Sequence, residues 1–220
     1  MTTRTPLSPT PRSSLGRLAE RGRTDRADLD AVLDAGLVCH LALTLPSGPL
    51  VVPTGYGRDG DTLYVHGSSG ARTLRAGAAG TPVCVAVTLL DGIVYARSVF
   101  HFSVNYRSAV VHGTAVPVVE RDAKLRALRV ITEHLAPGSW DYTRQPNKKE
   151  LVATTVLAID LTEASVKVRD AGPGDEPEDV DPYTGWAGVL PLRRVWGEPV
   201  SAADLPGDIA VPPHVTGRSL

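Results

Sequence analysis

Two short stretches concentrate the side chains that could bind a polar ligand. The first reads HGSSGARTLR, from His66 to Arg75, and places small and hydroxyl residues before a helix-forming run. The Ser69 hydroxyl and the Arg72 guanidinium could both hydrogen-bond an anion, which the positive end of a helix also favours. These features predict a phosphate cradle, although the same residues also fit an ordinary helix N-cap.

The second stretch runs from Ser98 to Ala115 and crowds polar and aromatic residues beside a core strand. Tyr106, Arg107 and Ser108 begin a β-branched, apolar run that predicts a long strand over 106–118. Burying so many donors and acceptors is costly unless they find partners, and a bound polar ligand would supply them. An exposed loop that leads into a strand is the alternative.

A third stretch, VVPTGYG, ends a predicted strand over 49–56. Its residues Pro53 and Thr54 could present backbone and hydroxyl groups to a planar heterocycle. We expect the three stretches to converge on one site.

Period-two and helical patterns predict the elements that would position these residues. The predicted strands cover 37–45, 49–56, 62–66, 83–90, 106–118, 151–160 and 164–169, with a turn at Asp91-Gly92. The predicted helices cover 24–35, 69–78 and 120–135. Six or seven antiparallel strands with inserted helices indicate a mainly β fold, a closed β-barrel.

Length and composition favour one sizeable domain, because the chain has 220 residues, of which 42% are hydrophobic. We expect a flexible arm over 1–23, a barrel over 24–170 and an extension over 171–220. Trp186 and Trp196 make the extension too apolar to stay loose, so it should pack on the barrel or on a second subunit.

The charge and cysteine content exclude several classes of function. A net charge of −1 gives no general attraction to nucleic acid or to an anionic membrane, and no apolar run is long enough to span a bilayer. Cys39 and Cys84 lie in apolar strands without a Cys/His cluster, so neither zinc nor any other metal site is expected. The default compartment is the cytoplasm.

The segments VPTGYGRDGDTLYVHGSSGARTLR and DGIVYARSVFHFSVNYRSAVVHGTA resemble the FMN-binding split-barrel superfamily that includes pyridoxamine 5′-phosphate oxidase. The likeness spans about residues 24–167. Within the superfamily, the chain resembles the flavin-binding proteins related to the Nim nitroimidazole-resistance proteins more than it resembles the oxidase. It implies a homodimer with two FMN sites at the subunit interface. Position by position, it places Pro53 and Thr54 beside the flavin ring. It places His66, Ser69 and Arg72 at the ribityl phosphate, and Tyr106, Arg107 and Ser108 on the strand that completes the pocket.

The chain departs from the family pattern in three places. Arg72 replaces the lysine of the oxidase phosphate clamp and is shifted by one position. The C-terminal stretch VLPLRRVWGEP is only loosely similar to the oxidase substrate-binding motif, which argues against a vitamin-B6 oxidase. Ala71 stands where many Nim proteins carry a histidine.

The resemblance implies an FMN-dependent oxidoreductase that acts on a small organic molecule through hydride chemistry at flavin N5. NAD(P)H is the expected electron donor. It would bind only transiently, because the chain has no GxGxxG fingerprint for a resident dinucleotide. A non-catalytic flavin-binding protein is one alternative, and a haem- or deazaflavin-binding relative of the same barrel is another. His101 and His112 could donate protons near the flavin or serve packing, and no catalytic residue is assigned.

Overall fold

The computed structural model describes residues 6–7, 10–181, 185–207 and 209–218, and within them ten antiparallel strands form a single sheet. The strands are β1 Gly22–Arg23, β2 Val38–Leu45, β3 Gly48–Asp59, β4 Thr62–Ser68, β5 Pro82–Tyr95, β6 Ser103–Thr114, β7 Val116–Pro117, β8 Thr154–Asp160, β9 Ala164–Arg169 and β10 Gly188–Pro191. Their order in the sheet is β1-β9-β6-β5-β2-β3-β4-β8-β7, and β10 pairs with β5.

Seven α-helices and two short 3-10 turns connect the strands in the described part of the chain. The helices are α1 Arg26–Ala35, α2 Arg72–Ala78, α3 Arg121–Leu135, α4 Ser139–Tyr142, α5 Lys148–Ala153, α6 Pro177–Val180 and α7 Pro213–Thr216. The 3-10 turns are Ala19–Arg21 and Val99–His101.

The mainly β split-barrel class that the sequence predicts is confirmed. Seven strands have six or more residues, which agrees with the predicted six or seven. The three remaining strands, β1, β7 and β10, are only two to four residues long, too short for an alternation pattern to reveal them.

The predicted turn at Asp91-Gly92 is wrong. Strand β5 continues through it as far as Tyr95, and a bulge shifts its register with β6 between Leu90 and Gly92. Gly92 suits this close approach, because a Cβ would lie 3.0 Å from the Leu190 carbonyl oxygen of the neighbouring strand β10. An Asp-Gly pair therefore marks a bulge here instead of a chain reversal.

Two other boundaries also differ from the prediction. The residues from 151 begin as the end of helix α5, which Asn147 and Glu150 start with a reciprocal capping box, and the strand begins only at Thr154. The long strand predicted over 106–118 begins at Ser103 and ends at Thr114, and β7 follows after Ala115.

The barrel interior is filled by alternate residues of the strands and by one face of α1. On β2, and on β5 as far as the bulge, the buried residues are odd-numbered, such as Cys39, Leu41 and Val85. Leu29 and Leu33 of α1 are fully buried in the same cluster. The even-numbered residues of β2, and those of β5 up to Leu90, therefore form an outer face of the sheet.

Both terminal segments contact the barrel. Leu7 is buried in the core cluster and its N–H donates to the Thr24 carbonyl, while β1 pairs with β9. In the extension, β10 pairs with β5 and Trp186 packs against Tyr95 with ring centroids 5.6 Å apart. The predicted boundaries near 24 and 170 remain predictions, and residues 1–5, 8–9, 182–184, 208 and 219–220 lie outside the described residues. Within the described part, no helix is both long and apolar enough to cross a membrane.

Candidate flavin site and the His66 cavity

The barrel opens where β3 changes its partner. Residues Gly48–Gly55 pair with β2, whereas Tyr56–Asp59 pair with β4, and the ladder between β3 and β4 stops at the pair Tyr56–Val65. Strand β4 continues to Ser68 against β8 on its other side. The two facing strand ends therefore leave an opening in which backbone groups are available to a ligand.

Tyr56 fixes the position of this opening. Its side chain is fully buried, and its hydroxyl contacts the carbonyl oxygens of Leu33 and Gly36, at 3.0 Å for Gly36. Burial raises the pKa of this phenol, so it stays protonated and donates. The hydrogen bonding ties the middle of β3 to the end of α1.

Helix α3 lies directly against the same part of β3. A Cβ on Gly57 would lie 2.6 Å from the Val130 carbonyl oxygen, and one on Gly55 would lie 2.8 Å from the Leu135 side chain. Only glycine permits this approach, because the nearest Val130 atom belongs to the helix backbone. The helix consequently covers the outer side of β3 and β4 next to the opening.

A cavity of about 390 Å³ lies beside the opening. Its walls come from β4, α3, α4, the segment 143–146, α5 and the first residue of β8. They are formed by His66, Leu128, Thr132, Trp140, Thr143, Arg144, Gln145, Pro146, Glu150 and Thr154. We refer to this space as the His66 cavity.

His66 has a buried ring nitrogen with no partner. Nδ1 is inaccessible to solvent and makes no hydrogen bond with any described residue. Burial lowers the pKa of the imidazole, so the ring is neutral at pH 7. A neutral imidazole can ligate a metal ion or accept a hydrogen bond from a ligand.

Ser69 lies on the loop that leads from the His66 strand into α2, and Arg72 is the first residue of that helix. The Ser69 N–H donates to the Ala153 carbonyl oxygen at 2.8 Å, which places this loop next to Thr154 of the cavity wall. Helix α2 starts at Arg72, and the residue in the N-cap position is Ala71, which makes no side-chain cap. The N-cap alternative for Ser69 is therefore wrong, and both its hydroxyl and the exposed Arg72 side chain face solvent.

Pro53 and Thr54 lie on the β3 side of the opening. Pro53 is exposed on the outer face opposite His40, and the Thr54 hydroxyl donates to the Gly55 carbonyl at 3.2 Å. If the register of β3 and β4 continued, Thr54 would face Gly67. Pro53 and Thr54 thus lie on the β3 side of the opening and His66 lies on the β4 side, while Ser69 and Arg72 follow β4 in the chain.

The other three predicted site residues lie elsewhere in the same chain. Tyr106, Arg107 and Ser108 are on β6, which is three strands from β3 in the sheet order, or about 14 Å at the usual strand spacing. They do not share a face, because Arg107 points away from its two neighbours. Its guanidinium forms a bidentate ion pair with Asp91, with N···O distances of 3.0 and 2.8 Å.

The cavity residues beyond His66 were missed by sequence reasoning. Arg144 and Glu150 form a bidentate ion pair at the rim, with distances of 2.9 and 2.6 Å. The Arg144 guanidinium, together with the Asn147 N–H, lowers the pKa of Glu150 to about 2. The Asn147–Glu150 spacing is a capping-box signal that could have revealed the helix, although not its role as a cavity wall.

Three other histidines lie away from this cavity. His101 is 3.9 Å from Glu176, and His112 is opposite Cys84 in the β5–β6 ladder. His134, on α3, bonds the Gly36 carbonyl oxygen at 2.6 Å and contacts the Tyr56 ring. Of the histidines in the described residues, His66 alone lines the cavity and has a buried, unpaired nitrogen.

The fold and this opening define a pyridoxamine 5′-phosphate oxidase-like, FMN-binding split barrel. Residues 25–168 match the family model described as Pyridoxamine 5'-phosphate oxidase, and the chain belongs to this family. The resemblance inferred from the sequence is thereby confirmed. A comparison with curated proteins found no match.

Two solved structures are similar over nearly the whole chain. The flavocytochrome Anf3 from Azotobacter vinelandii is 34% identical with a TM-score of 0.91, and the match covers 98% of this chain and 100% of that one. The FAD and heme binding protein from Mycobacterium smegmatis is 40% identical with a TM-score of 0.86, over 90% and 96% of the two chains. A protein assigned to 5-nitroimidazole antibiotic resistance from Bacteroides thetaiotaomicron shares the fold at 21% identity and a TM-score of 0.53, over 67% of this chain and 86% of that one.

Proposed function

We propose that this protein is a redox protein that binds both a flavin and a haem. The observation that carries the proposal is similarity over nearly full length to two proteins whose names state both kinds of cofactor. The match to the flavocytochrome extends well beyond residues 25–168, which are the part that the oxidase family model covers. In the sequence analysis, haem binding was an alternative to flavin binding. We now propose haem as a second cofactor that is bound together with the flavin.

The flavin would lie in the opening between β3 and β4. Pro53 and Thr54 would contact the ring, while Ser69 and Arg72 would bind the phosphate through a hydroxyl and a charge-assisted hydrogen bond. FMN is the form that the family resemblance implies, and FAD is the form named for the mycobacterial relative. The phosphate groups of either flavin suit the exposed Arg72.

The haem would occupy the His66 cavity, whose wall carries an imidazole, the Trp140 ring, the Leu128 side chain and the Arg144 guanidinium. The cavity volume of about 390 Å³ falls within the range of roughly 300–1,000 Å³ that is typical of ligand pockets. The neutral imidazole of His66 would ligate the iron, and Arg144 at the rim would pair with a propionate carboxylate. The bound iron supplies a one-electron couple beside the two-electron flavin, which would let electrons pass singly between substrate and acceptor.

A homodimer would complete the flavin site. The outer face exposes apolar side chains on four neighbouring strands, namely Val38 (50% exposed), Val51 (58%), Leu90 (42%) and Val104 (38%). Tyr106 and Ser108 lie on this face but are too far from Pro53 to act in the same chain. A second copy packed against this face would bury the apolar residues and could bring its own Tyr106 to the flavin.

The reaction partners follow from the redox chemistry. We propose NAD(P)H as a transient electron donor and a small organic molecule as the substrate, with hydride transfer at flavin N5. Because the flavin carries out the redox step, the chain's residues need only position the substrate and exclude water. Rapid-mixing reduction of the loaded protein by NADH and NADPH measures this step, and a spectrum unchanged over minutes would contradict it.

Cofactor content tests the proposal directly. The protein is produced with riboflavin and a haem precursor, and its absorption spectrum is recorded together with those of His66→Ala and the control His112→Ala. We expect flavin bands and a Soret band for the wild type and for His112→Ala, and flavin bands alone for His66→Ala. Chromatography of the acid-released flavin then distinguishes FMN from FAD.

Two results would contradict this account. A wild-type protein that takes up flavin but shows no Soret band after haem supplementation would leave an FMN- or FAD-dependent oxidoreductase as the function. A Soret band that is identical in His66→Ala would place the haem outside the His66 cavity.

A further inference from the structure

The C-terminal extension ends at helix α7, which lies against the wall of the His66 cavity. A Cβ on Gly138 would lie 2.8 Å from the Cβ of His214, so α7 directly contacts the residue that precedes α4. The His214 ring also packs edge-on against the Tyr142 ring, with centroids 4.9 Å apart. Helix α7 therefore contacts both ends of α4.

Helix α7 packs on the side of α4 that faces away from the cavity. Trp140 of α4 lines the cavity, as do Thr143 and Arg144 just after the helix, whereas His214 does not. Residues two positions apart on an α-helix point in directions about 200° apart, so Tyr142 points away from Trp140. The contact between Tyr142 and His214 therefore supports the cavity wall from behind.

Helix α4 has few other contacts that hold it in place. It is four residues long and none of its residues is buried. The Glu133 carboxylate of α3 accepts the N–H groups of Gly138 and Trp140 at 2.7 and 2.8 Å. Arg129 of α3 pairs with Asp141, but both side chains are more than half exposed, so this ion pair adds little. Since a helix this short is not stable alone, its position depends on α3 and α7.

The chain that carries α7 is itself weakly attached to the barrel. Arg194 donates to the Ala35 carbonyl oxygen at 3.0 Å, and the described residues from 195 to 211 are all exposed. His214 is again partly buried, at its contact with α4. A segment that buries so little surface opens at a small fraction of the free energy of global unfolding. We therefore expect α7 to leave α4 while the barrel stays folded.

We propose that α7 is a clasp that controls the opening of the His66 cavity. When α7 is docked on α4, it holds Trp140 and the segment 143–146 in place as the cavity wall. When α7 is released, α4 moves outwards and a ligand enters or leaves. The identity of the ligand as haem rests on the proposed function, whereas the clasp rests on the contacts of α7 with α4.

Hydrogen–deuterium exchange of the full-length protein, measured by mass spectrometry, tests the clasp independently of the ligand. The two amides that bond the Glu133 carboxylate exchange when α4 moves, so peptides covering 136–146 report this movement. We expect roughly threefold to tenfold faster exchange there in His214→Ala, which is the factor that corresponds to the loss of one ring contact. Val215→Ala is the control, because Val215 lies on the same helix and is 41% exposed, and it should exchange like the wild type.

The rate of haem release from the loaded protein is the second measurement. Transfer of haem to excess apomyoglobin should be faster by a similar factor in His214→Ala and unchanged in Val215→Ala. The Soret band should keep its position in both variants, because neither substitution alters His66 or another residue that lines the cavity. A faster release with an unshifted band separates access to the cavity from ligation of the iron.

Three results would overturn the proposal. One is exchange over 136–146 that is equal in His214→Ala and Val215→Ala. Another is faster exchange that is equally large in the barrel strands, which would indicate general destabilisation. The third is faster exchange over 136–146 with unchanged haem release, because α4 would then move without opening the cavity.

The two measurements also separate the clasp from the proposed function. If the wild type takes up no haem, the proposed function fails, and the exchange measurement alone decides whether α7 holds α4. If circular dichroism shows that His214→Ala does not fold, Arg218→Gln decides the question by the same criteria. Arg218 follows α7 and lies over the Trp196 ring at 4.2 Å, so its loss also loosens α7.

Discussion

Substituting Gly57 with alanine should destabilise the wall of the His66 cavity. The added Cβ would lie 2.6 Å from the Val130 carbonyl oxygen and 2.8 Å from the backbone of Ile131. These are helix backbone atoms, so no side-chain rotation can relieve the contact. Helix α3 must move away by about 0.8 Å to restore the 3.4 Å at which ordinary van der Waals contact begins.

We expect Gly57→Ala to lower the free energy of unfolding by about 1–3 kcal/mol, the usual cost of overpacking. The control is Gly113→Ala in the neighbouring part of the barrel, where a Cβ would meet Ile159 at 3.6 Å and needs no rearrangement. Urea unfolding of both variants measures the difference. Because α3 carries Leu128 and Thr132 of the cavity, haem should also dissociate faster from Gly57→Ala. Equal stability of the two variants would refute the close packing of α3 on β3.

Three further predictions concern the predicted site and its charges. Ser69→Ala and Arg72→Ala should each weaken flavin binding by roughly 1–3 kcal/mol, as measured by isothermal titration, and unchanged affinity would remove both from the phosphate site. A double-mutant cycle with Asp91→Asn and Arg107→Gln should give a coupling of about 0.5–1 kcal/mol in unfolding experiments, because the ion pair is partly exposed; zero coupling would contradict the bidentate contact. Glu150 has a pKa lowered in the folded state to about 2, so its stabilising contribution is complete above pH 4.5 and is lost as the pH falls towards 2. Glu150→Gln should therefore show a smaller loss of stability over that range, and identical pH profiles would contradict the prediction.

The sequence predicted the elements that carry strong periodic patterns. Alternation on β2 placed Cys39 and Leu41 in the core. Helix α1 was predicted from its apolar face and its capping residue, and α3 from its apolar face. These signals are local, since a strand or helix with one buried face repeats its pattern within a few residues. The fold class followed from them and from the family resemblance.

The features that were missed depend on contacts between distant parts of the chain. The bulge at Gly92 lies where β10, almost a hundred residues later, pairs with β5. The change of partner on β3 falls at Tyr56, whose hydroxyl bonds carbonyl oxygens at the end of α1. Nothing in the local sequence distinguishes a strand that has two partners from one that has a single partner.

The predicted site residues fall into two groups for the same reason. Pro53, Thr54 and His66 lie on the adjacent strands β3 and β4, and Ser69 and Arg72 follow β4 in the chain, so short-range topology keeps these five in one part of the fold. The Tyr106–Ser108 group was placed with them by resemblance alone, and in one chain it lies three strands away. The orphaned His66 nitrogen could be recognised only once its surroundings were known.

Native mass spectrometry of the protein purified after riboflavin and haem supplementation tests the central claim most directly. The account predicts a dimer that carries one flavin and one haem for each chain, with the haem lost from His66→Ala. A wild-type species that carries flavin without haem, or neither cofactor, would contradict it.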